Sequence, residues 1–282
     1  MTTVGIVGLG LIGGSIGLDL MAQGDRVIGV SRRQSTCDRA VERGAAAIAS
    51  SDLASLAEAD LIVLCPPIGL IPTLMAELQP LIPASTVVTD VGSVKASIVN
   101  AIAPAYPNFV GGHPMAGTAE VGIEAAQHNL FVDRPYVITP ALNNPPTAIA
   151  AVKTLATQLG ARIYECDPSA HDQAVAWISH LPVMVSSSLI QACLQEPEAG
   201  VQILVRSLAS SGFRDTSRVG GGNPELGRMM AEYNTPALLT ALQTYQAELQ
   251  RCIDAIAAQD WIQVETLLQQ SQAARPEFVD PS

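Results

Sequence analysis

The stretch Val4-Gly5-Ile6-Val7-Gly8-Leu9-Gly10-Leu11-Ile12-Gly13-Gly14 decides the fold. A short β-branched run passes directly into Gly-x-Gly-x-x-Gly, and a segment of helical character at 15–23 follows. That order opens a β-α-β unit, the setting in which a glycine fingerprint carries meaning. The first glycine permits the tight turn and the second lets backbone approach a pyrophosphate. The third lets the helix pack close to the strand. The helix N-terminus then offers free N–H groups and a partial positive charge to the phosphates. Gly8, Gly10, Leu11, Ile12 and Gly13 are therefore the expected contacts of a dinucleotide. A glycine-rich turn without a ligand is the plainer alternative, and the position between strand and helix argues against it.

Outward from this turn, β-branched runs alternate with helical stretches. Strands are expected at 4–7, 26–30, 47–49, 61–65, 86–90, 108–111, 136–139 and 162–164. Helices are expected at 15–23, 35–43, 70–78, 95–103 and 147–159. Such alternation implies crossover units and a mainly parallel sheet covered on both faces. The run 61–65 is apolar throughout, as a buried central strand should be.

After about residue 166 the strand signals stop. Asp167-Pro168-Ser169 reads as a helix start, with Asp167 or Ser169 as cap. Helical runs follow at 171–194 and 199–210, and Thr235-Pro236 offers an N-cap with proline in the first turn. Leu238, Leu239, Leu242, Tyr245, Leu249, Ile253 and Ile256 then recur at helical spacing. Asp260 opens a last helix with Trp261, Val264, Leu267 and Leu268, and the segment 275–282 reads as a loose polar tail. The expected architecture is an α/β Rossmann-type domain over residues 1–166 and an all-α domain over 167–282. The helical half has apolar faces to spare and is expected to pair with a second copy as a homodimer.

Composition narrows the function. Fifteen basic against 26 acidic residues, a net charge of −11, disfavours nucleic acid and anionic membranes as partners. It leaves a small anionic substrate open, because one or two arginines in a pocket outweigh a negative exterior locally. The five cysteines are far apart with no Cys-x-x-Cys pair, which fits a reducing, cytoplasmic setting and no disulfide framework. The four histidines lack metal-ligand spacing, so no metal is expected. Nor does any apolar run approach the roughly 20 residues of a membrane-spanning helix.

The second strand bears on the cofactor. In NAD-binding units an acidic residue about 20 positions beyond the fingerprint bonds the ribose 2′-hydroxyl. Here the strand ends in Ser31-Arg32-Arg33, with no carboxylate. A hydroxyl and a guanidinium suit a 2′-phosphate, so NADP is expected over NAD, with Arg32 the main contact. The alternative is that both arginines simply start a solvated helix.

Four further stretches stand out. Thr89-Asp90-Val91-Gly92-Ser93-Val94-Lys95 lies at the carboxyl end of a strand, where ligands of open α/β sheets bind. Gly111-Gly112-His113-Pro114-Met115-Ala116-Gly117-Thr118 follows the next strand and sets a histidine among glycines. Ile178-Ser179-His180-Leu181-Pro182 interrupts a helix, and Gly212-Phe213-Arg214-Asp215-Thr216-Ser217-Arg218 reads as a loop with two arginines. Together with the fingerprint, these stretches resemble the prephenate/arogenate dehydrogenase family of tyrosine biosynthesis. The resemblance runs over nearly the whole chain.

The resemblance implies oxidative decarboxylation of a cyclohexadienol: hydride leaves the ring carbon bearing the hydroxyl, and the ring carboxylate departs as carbon dioxide. It places His113 on the ring hydroxyl as hydrogen-bond acceptor and Ser93 near both hydroxyl and nicotinamide. A helix N-cap is the rival role for Ser93. Arg218 resembles the anchor of the substrate carboxylate, and Arg214 reads as structural, paired with Asp215. His180 either lines the substrate pocket or satisfies the proline-interrupted helix. Asp90 and Lys95 are expected to support the nicotinamide end. Prephenate-using relatives commonly carry histidine where this chain has Val183, and many carry tryptophan within the stretch Pro224-Glu225-Leu226-Gly227. Arogenate is therefore expected over prephenate. No chorismate-mutase module or appended regulatory domain is expected. The rival readings are a β-hydroxyacid dehydrogenase, a pyrroline-carboxylate reductase, or a nucleotide sensor without turnover.

Overall fold

Alternation along the first strand shows how the sheet is covered: Ile6 joins the apolar cluster on one face and Val7 the cluster on the other. The computed structural model describes residues 2–118 and 120–279. Its strands are β1 (Thr3–Val7), β2 (Arg26–Val30), β3 (Ile48–Ser50), β4 (Leu61–Leu64), β5 (Val87–Asp90), β6 (Phe109–Pro114), β7 (Pro135–Thr139) and β8 (Arg162–Glu165). They form one sheet in the order β3-β2-β1-β4-β5-β6-β7-β8. Every pairing is parallel except β6 with β7. All four residues of β4 are buried, as its unbroken apolar run requires.

The helices of this half are α1 (Leu11–Ala22), α2 (Gln34–Glu42), α3 (Ile71–Leu78), α4 (Ala96–Ile102) and α5 (Pro146–Gln158). All eight expected strands and all five helices exist, β2 with the expected ends and the others shifted at one or both ends. One shift matters: β6 runs through Pro114, so His113 lies within the strand and not after it. The strand order reverses direction between β1 and β4, and the crevice beyond their carboxyl ends is where open α/β sheets bind ligands.

Among the described residues no strand follows β8. Asp167 caps α6 (Pro168–Val175) by accepting from Ser169 N at 2.8 Å and Ala170 N at 3.2 Å, with Pro168 in the first turn. A π turn, Ala176–His180, joins it to α7 (Leu181–Leu194). Pro182 lacks an N–H, and in a regular α-helix its ring would clash with the carbonyl four residues back, so the wider turn lets the helix continue where the sequence suggested a break. The resulting run, Pro168–Leu194, has 27 residues and contains an 18-residue stretch with a mean hydropathy of 1.3, enough by length and composition to cross a membrane. The expectation that no segment has that character is thereby corrected. The run carries His171, Asp172 and His180, all buried within the fold.

Then come α8 (Ala199–Leu208), α9 (Ser211–Ser217) and α10 (Pro224–Tyr233). The stretch 212–218, expected as a loop, is mostly helix α9, and Arg218 begins a short 3-10 turn. The chain divides into two compact units, Met1–Asn234 and Thr235–Ser282. The second consists of α11 (Thr235–Ala257) and α12 (Trp261–Val279), which pack together. Asp260 accepts from Gln263 N at 2.9 Å and so opens α12. That helix carries Pro276 and runs to Val279, correcting the loose tail expected from 275; residues 280–282 lie outside the described residues. Leu239, Tyr245, Leu249, Ile253 and Ile256 of α11 remain exposed.

Candidate active site

The glycine turn divides its labour by position. Gly8 has φ +99°, and a β-carbon there would stand 2.9 Å from the Cys65 backbone at the end of β4. Gly13 packs on the turn itself, since its β-carbon would lie 2.1 Å from Gly8 O. Gly10 faces open space, with nothing within 4 Å of an added β-carbon. These are the turn, the packing and the approach that a pyrophosphate site needs. The cleft in front has a volume of about 560 Å³, and Gly8, Gly10, Ser31, Arg32, Arg33 and Cys65 are among its lining. Leu11, Ile12 and Gly13 stand behind it in the first turn of α1. Among the described residues, neither Arg32 nor Arg33 makes an ion pair, so both guanidiniums face solvent at the cleft.

Beyond β5 and β6 the polar groups form a chain. His113 Nδ1 lies 2.8 Å from His171 Nε2, and His171 Nδ1 lies 2.8 Å from Asp172 Oδ1. A carboxylate only accepts, so a neutral His171 donates from Nδ1 and accepts at Nε2. His113 then donates from Nδ1 and keeps a lone pair on Nε2. Burial, followed by the neighbouring His171, Lys95 and His180, holds the His113 imidazole well below its usual range, hence neutral near pH 7.

The end of β5 is tied to this chain. Lys95, fully buried, pairs with the equally buried Asp90 and donates to Gly112 O at 2.8 Å, one residue before His113. Asp90 also accepts from Gly92 N at 2.8 Å and Gly112 N at 3.2 Å. The N-terminus of α4 is capped from outside: Asp172 accepts from Lys95 N at 2.7 Å and Ala96 N at 2.9 Å. Ser93 is therefore not the cap. Its Oγ is buried without a partner among the described residues, an arrangement that costs about 1–3 kcal/mol unless something else bonds it.

His180 occupies the third corner. Asn234 Nδ2 lies 3.1 Å from His180 Nδ1 and donates to Asp172 O at 2.8 Å. The proton of His180 is thus on Nε2, which is buried and has no partner among the described residues. Burial first, then His171, lowers its pKa to about 4 against the opposing pull of Asp172.

Arg218 does not join this group. It is exposed on the turn after α9 and pairs with no carboxylate among the described residues. Arg214 sits 3.3 Å from Asp215, both exposed. Val183 and, from the second departure, Pro224, Leu226 and Gly227 line a separate cavity of about 320 Å³. Among the described residues no cluster of His, Cys, Asp or Glu is disposed to hold a metal. Sequence reasoning missed His171, Asp172 and Asn234. A signal for the first two existed: Pro168, His171, Asp172 and Val175 share the buried face of α6 at helical spacing. A His-Asp pair on such a face demands partners elsewhere.

A glycine-lined cleft at the switch point, with a neutral imidazole on a nearby strand, defines a Rossmann-type oxidoreductase. Residues 16–165 match the family described as prephenate dehydrogenase, nucleotide-binding domain, and residues 167–270 match its dimerization domain. The cyclohexadienyl dehydrogenase of Zymomonas mobilis is 32% identical over 96% of this chain and 94% of its own. The prephenate dehydrogenase of Bacillus subtilis is 30% identical over 92% of this chain and 71% of its own. The crystal structure of Synechocystis arogenate dehydrogenase superposes with a TM-score of 0.89 at 51% identity, covering 98% of this chain and 100% of that one. The chain belongs to the prephenate/arogenate dehydrogenase family and is an enzyme of that family.

Proposed function

We propose that the chain converts L-arogenate to L-tyrosine by oxidative decarboxylation with hydride transfer to NADP, in tyrosine biosynthesis, as a cytoplasmic homodimer. One observation carries the chemistry: among the described residues His113 is hydrogen-bonded through Nδ1 alone, and it stands on the strand beside the turn that holds the unpartnered Ser93 Oγ; burial favours its neutral form. In this reading His113 and Ser93 are the catalytic pair. His113 Nε2 accepts the ring hydroxyl's proton as that carbon loses hydride and its C–O bond gains double-bond character. Scission of the ring–carboxylate bond releases carbon dioxide and returns an electron pair to the ring. The same imidazole then leaves the proton on the phenol oxygen. Ser93 bonds the hydroxyl and orients it.

The open face at Gly10 and the helix N-terminus behind it suit a pyrophosphate, and Arg32 and Arg33 with Ser31 suit a 2′-phosphate. The chemistry NADP supplies when bound there is acceptance of the hydride. Asp90 and Lys95 support the nicotinamide end. Arg218 anchors the side-chain carboxylate, and His180 lines the pocket as an Nε2–H donor. The nucleotide domain spans 1–166 and the helical substrate and dimerisation domain 167–282. The likeness to the Synechocystis enzyme and the absence of an imidazole at Val183 favour arogenate over prephenate.

Absorbance at the reduced-nicotinamide band tests this, with arogenate and prephenate each paired with NADP and NAD. Rapid reduction is expected with arogenate and NADP. Comparable specificity constants for the two substrates would sink the arogenate preference, and equal use of NAD the NADP assignment. No reduction in any pairing would overturn the whole reading.

A further inference from the structure

We infer that His171 is a positioning residue that, backed by Asp172, holds His113 in its Nδ1–H tautomer and so keeps Nε2 free to take the substrate proton. The inference deepens the reading of His113 as proton acceptor and rests on it.

The argument is one of donors and acceptors. An imidazole has two nitrogens, and the partner of one decides the state of the other. A free neutral imidazole favours the opposite form, with the proton on Nε2, which cannot accept from a substrate hydroxyl. Something must therefore supply an acceptor to Nδ1. In many histidine sites that acceptor is a carboxylate or a backbone carbonyl; here it is a second imidazole, His171 Nε2, at 2.8 Å. His171 serves only while its own proton stays on Nδ1, and Asp172 Oδ1 at 2.8 Å sees to that.

Asp172 is itself pinned. Its Oδ1 also receives Lys95 N at 2.7 Å, its Oδ2 receives Ala96 N at 2.9 Å, and its backbone carbonyl receives Asn234 Nδ2 at 2.8 Å. Both oxygens are committed, so the carboxylate cannot swing away from His171 without uncapping α4. His171 and Asp172 are almost fully buried, at 2% and 6% exposure, which removes water as a competing partner for either. One side chain thus fixes a tautomer two residues away and closes the N-terminus of the helix that follows Ser93.

Long-range ¹⁵N–¹H correlation spectra of the full-length enzyme, at a pH where His113 is neutral, read the tautomer directly. The wild type is expected to show His113 protonated on Nδ1 and bare on Nε2. His171→Leu, which offers no acceptor, should shift His113 toward the Nε2–H form and lower kcat by roughly 10²-fold, with little change in KM. His171→Gln, whose amide oxygen can accept from Nδ1–H, should recover much of both. A purely structural role would lower activity without moving the tautomer, and glutamine would not rescue it. A wild-type His113 carrying its proton on Nε2 overturns the inference whatever the variants do. So does a His171→Leu enzyme with unchanged tautomer and kcat, while His113→Asn is inactive. Full activity in His113→Asn fails differently, by removing the proton-acceptor reading and this inference with it.

Discussion

The third glycine of the nucleotide turn sits directly behind the first: a β-carbon on Gly13 would stand 2.1 Å from the carbonyl oxygen of Gly8. No rotamer relieves a clash with backbone, so the helix or the turn must move. Gly13→Ala should therefore destabilise the fold by about 1–3 kcal/mol, the usual cost of overpacking. Gly10→Ala meets nothing within 4 Å and should cost less than about 1 kcal/mol. Its loss should appear in nucleotide affinity instead, roughly tenfold or ~1.4 kcal/mol. Thermal denaturation and nucleotide titration of both variants separate the roles, and equal effects on stability would refute the division.

Lys95 and Asp90 are both fully buried, and Lys95 also holds Gly112 O. Burial pulls the Lys95 pKa down, while Asp90 opposes that shift. Lys95→Met leaves a carboxylate inside the protein without its counter-charge, which costs about 3–5 kcal/mol. Urea denaturation of the variant should show that loss. A cost below about 1 kcal/mol would mean that the pair is not what ties β5 to β6.

How much of this could be read from residues alone follows from the range of each interaction. Gly8 to Gly13 is a local pattern, and its strand, turn and helix were all legible. The unbroken run at Leu61–Leu64 announced a buried strand for the same reason. His113 stood out by its glycine neighbours, although its strand runs farther than expected. His171 and Asp172 did not stand out, because their meaning depends on groups 58 and 77 positions away in the chain. The stretch 212–218 looked like a loop for its Gly, Asp and Ser content, yet it folds as helix α9. Intrinsic propensity is a weak guide over seven residues, and tertiary context overrides it.

Acid should destabilise the enzyme through its buried imidazoles. His180 has its pKa lowered to about 4 by burial, against 6.5 when exposed. Between those values the unfolded chain binds more protons than the folded one, so stability rises with pH there. It is fully present above about pH 6.5 and is lost as pH falls toward 4. His113, also lowered by burial, acts in the same direction. His180→Gln should flatten the dependence of the urea midpoint on pH between 4 and 6.5 and leave the slope above 7 unchanged. An identical profile in the variant would show that His180 does not contribute.

Arg32 lies at the cleft and pairs with no carboxylate among the described residues. If it binds a 2′-phosphate, Arg32→Ser should raise KM for NADP by roughly 10- to 100-fold, as loss of a charge-assisted contact implies. KM for NAD should barely move, because NAD has no such phosphate. Parallel losses with both cofactors would assign Arg32 to the shared adenine end of the nucleotide.

Arg218 presents the opposite case to Lys95, an exposed cation without an ion-pair partner among the described residues. Removing it leaves no buried charge behind, so Arg218→Ala should change stability by no more than about 0.5 kcal/mol. Its proposed work is to grip the side-chain carboxylate of the substrate, and that grip is made equally in ground and transition states. KM should therefore rise by roughly 10²-fold while kcat changes little, the pattern of lost uniform binding. Lysine keeps the charge but not the two-pronged geometry, so Arg218→Lys should fall between wild type and alanine. Steady-state kinetics with a substrate analogue lacking that carboxylate provides the control: all three enzymes should then perform alike. If alanine still loses ground on the analogue, Arg218 acts on something other than the carboxylate.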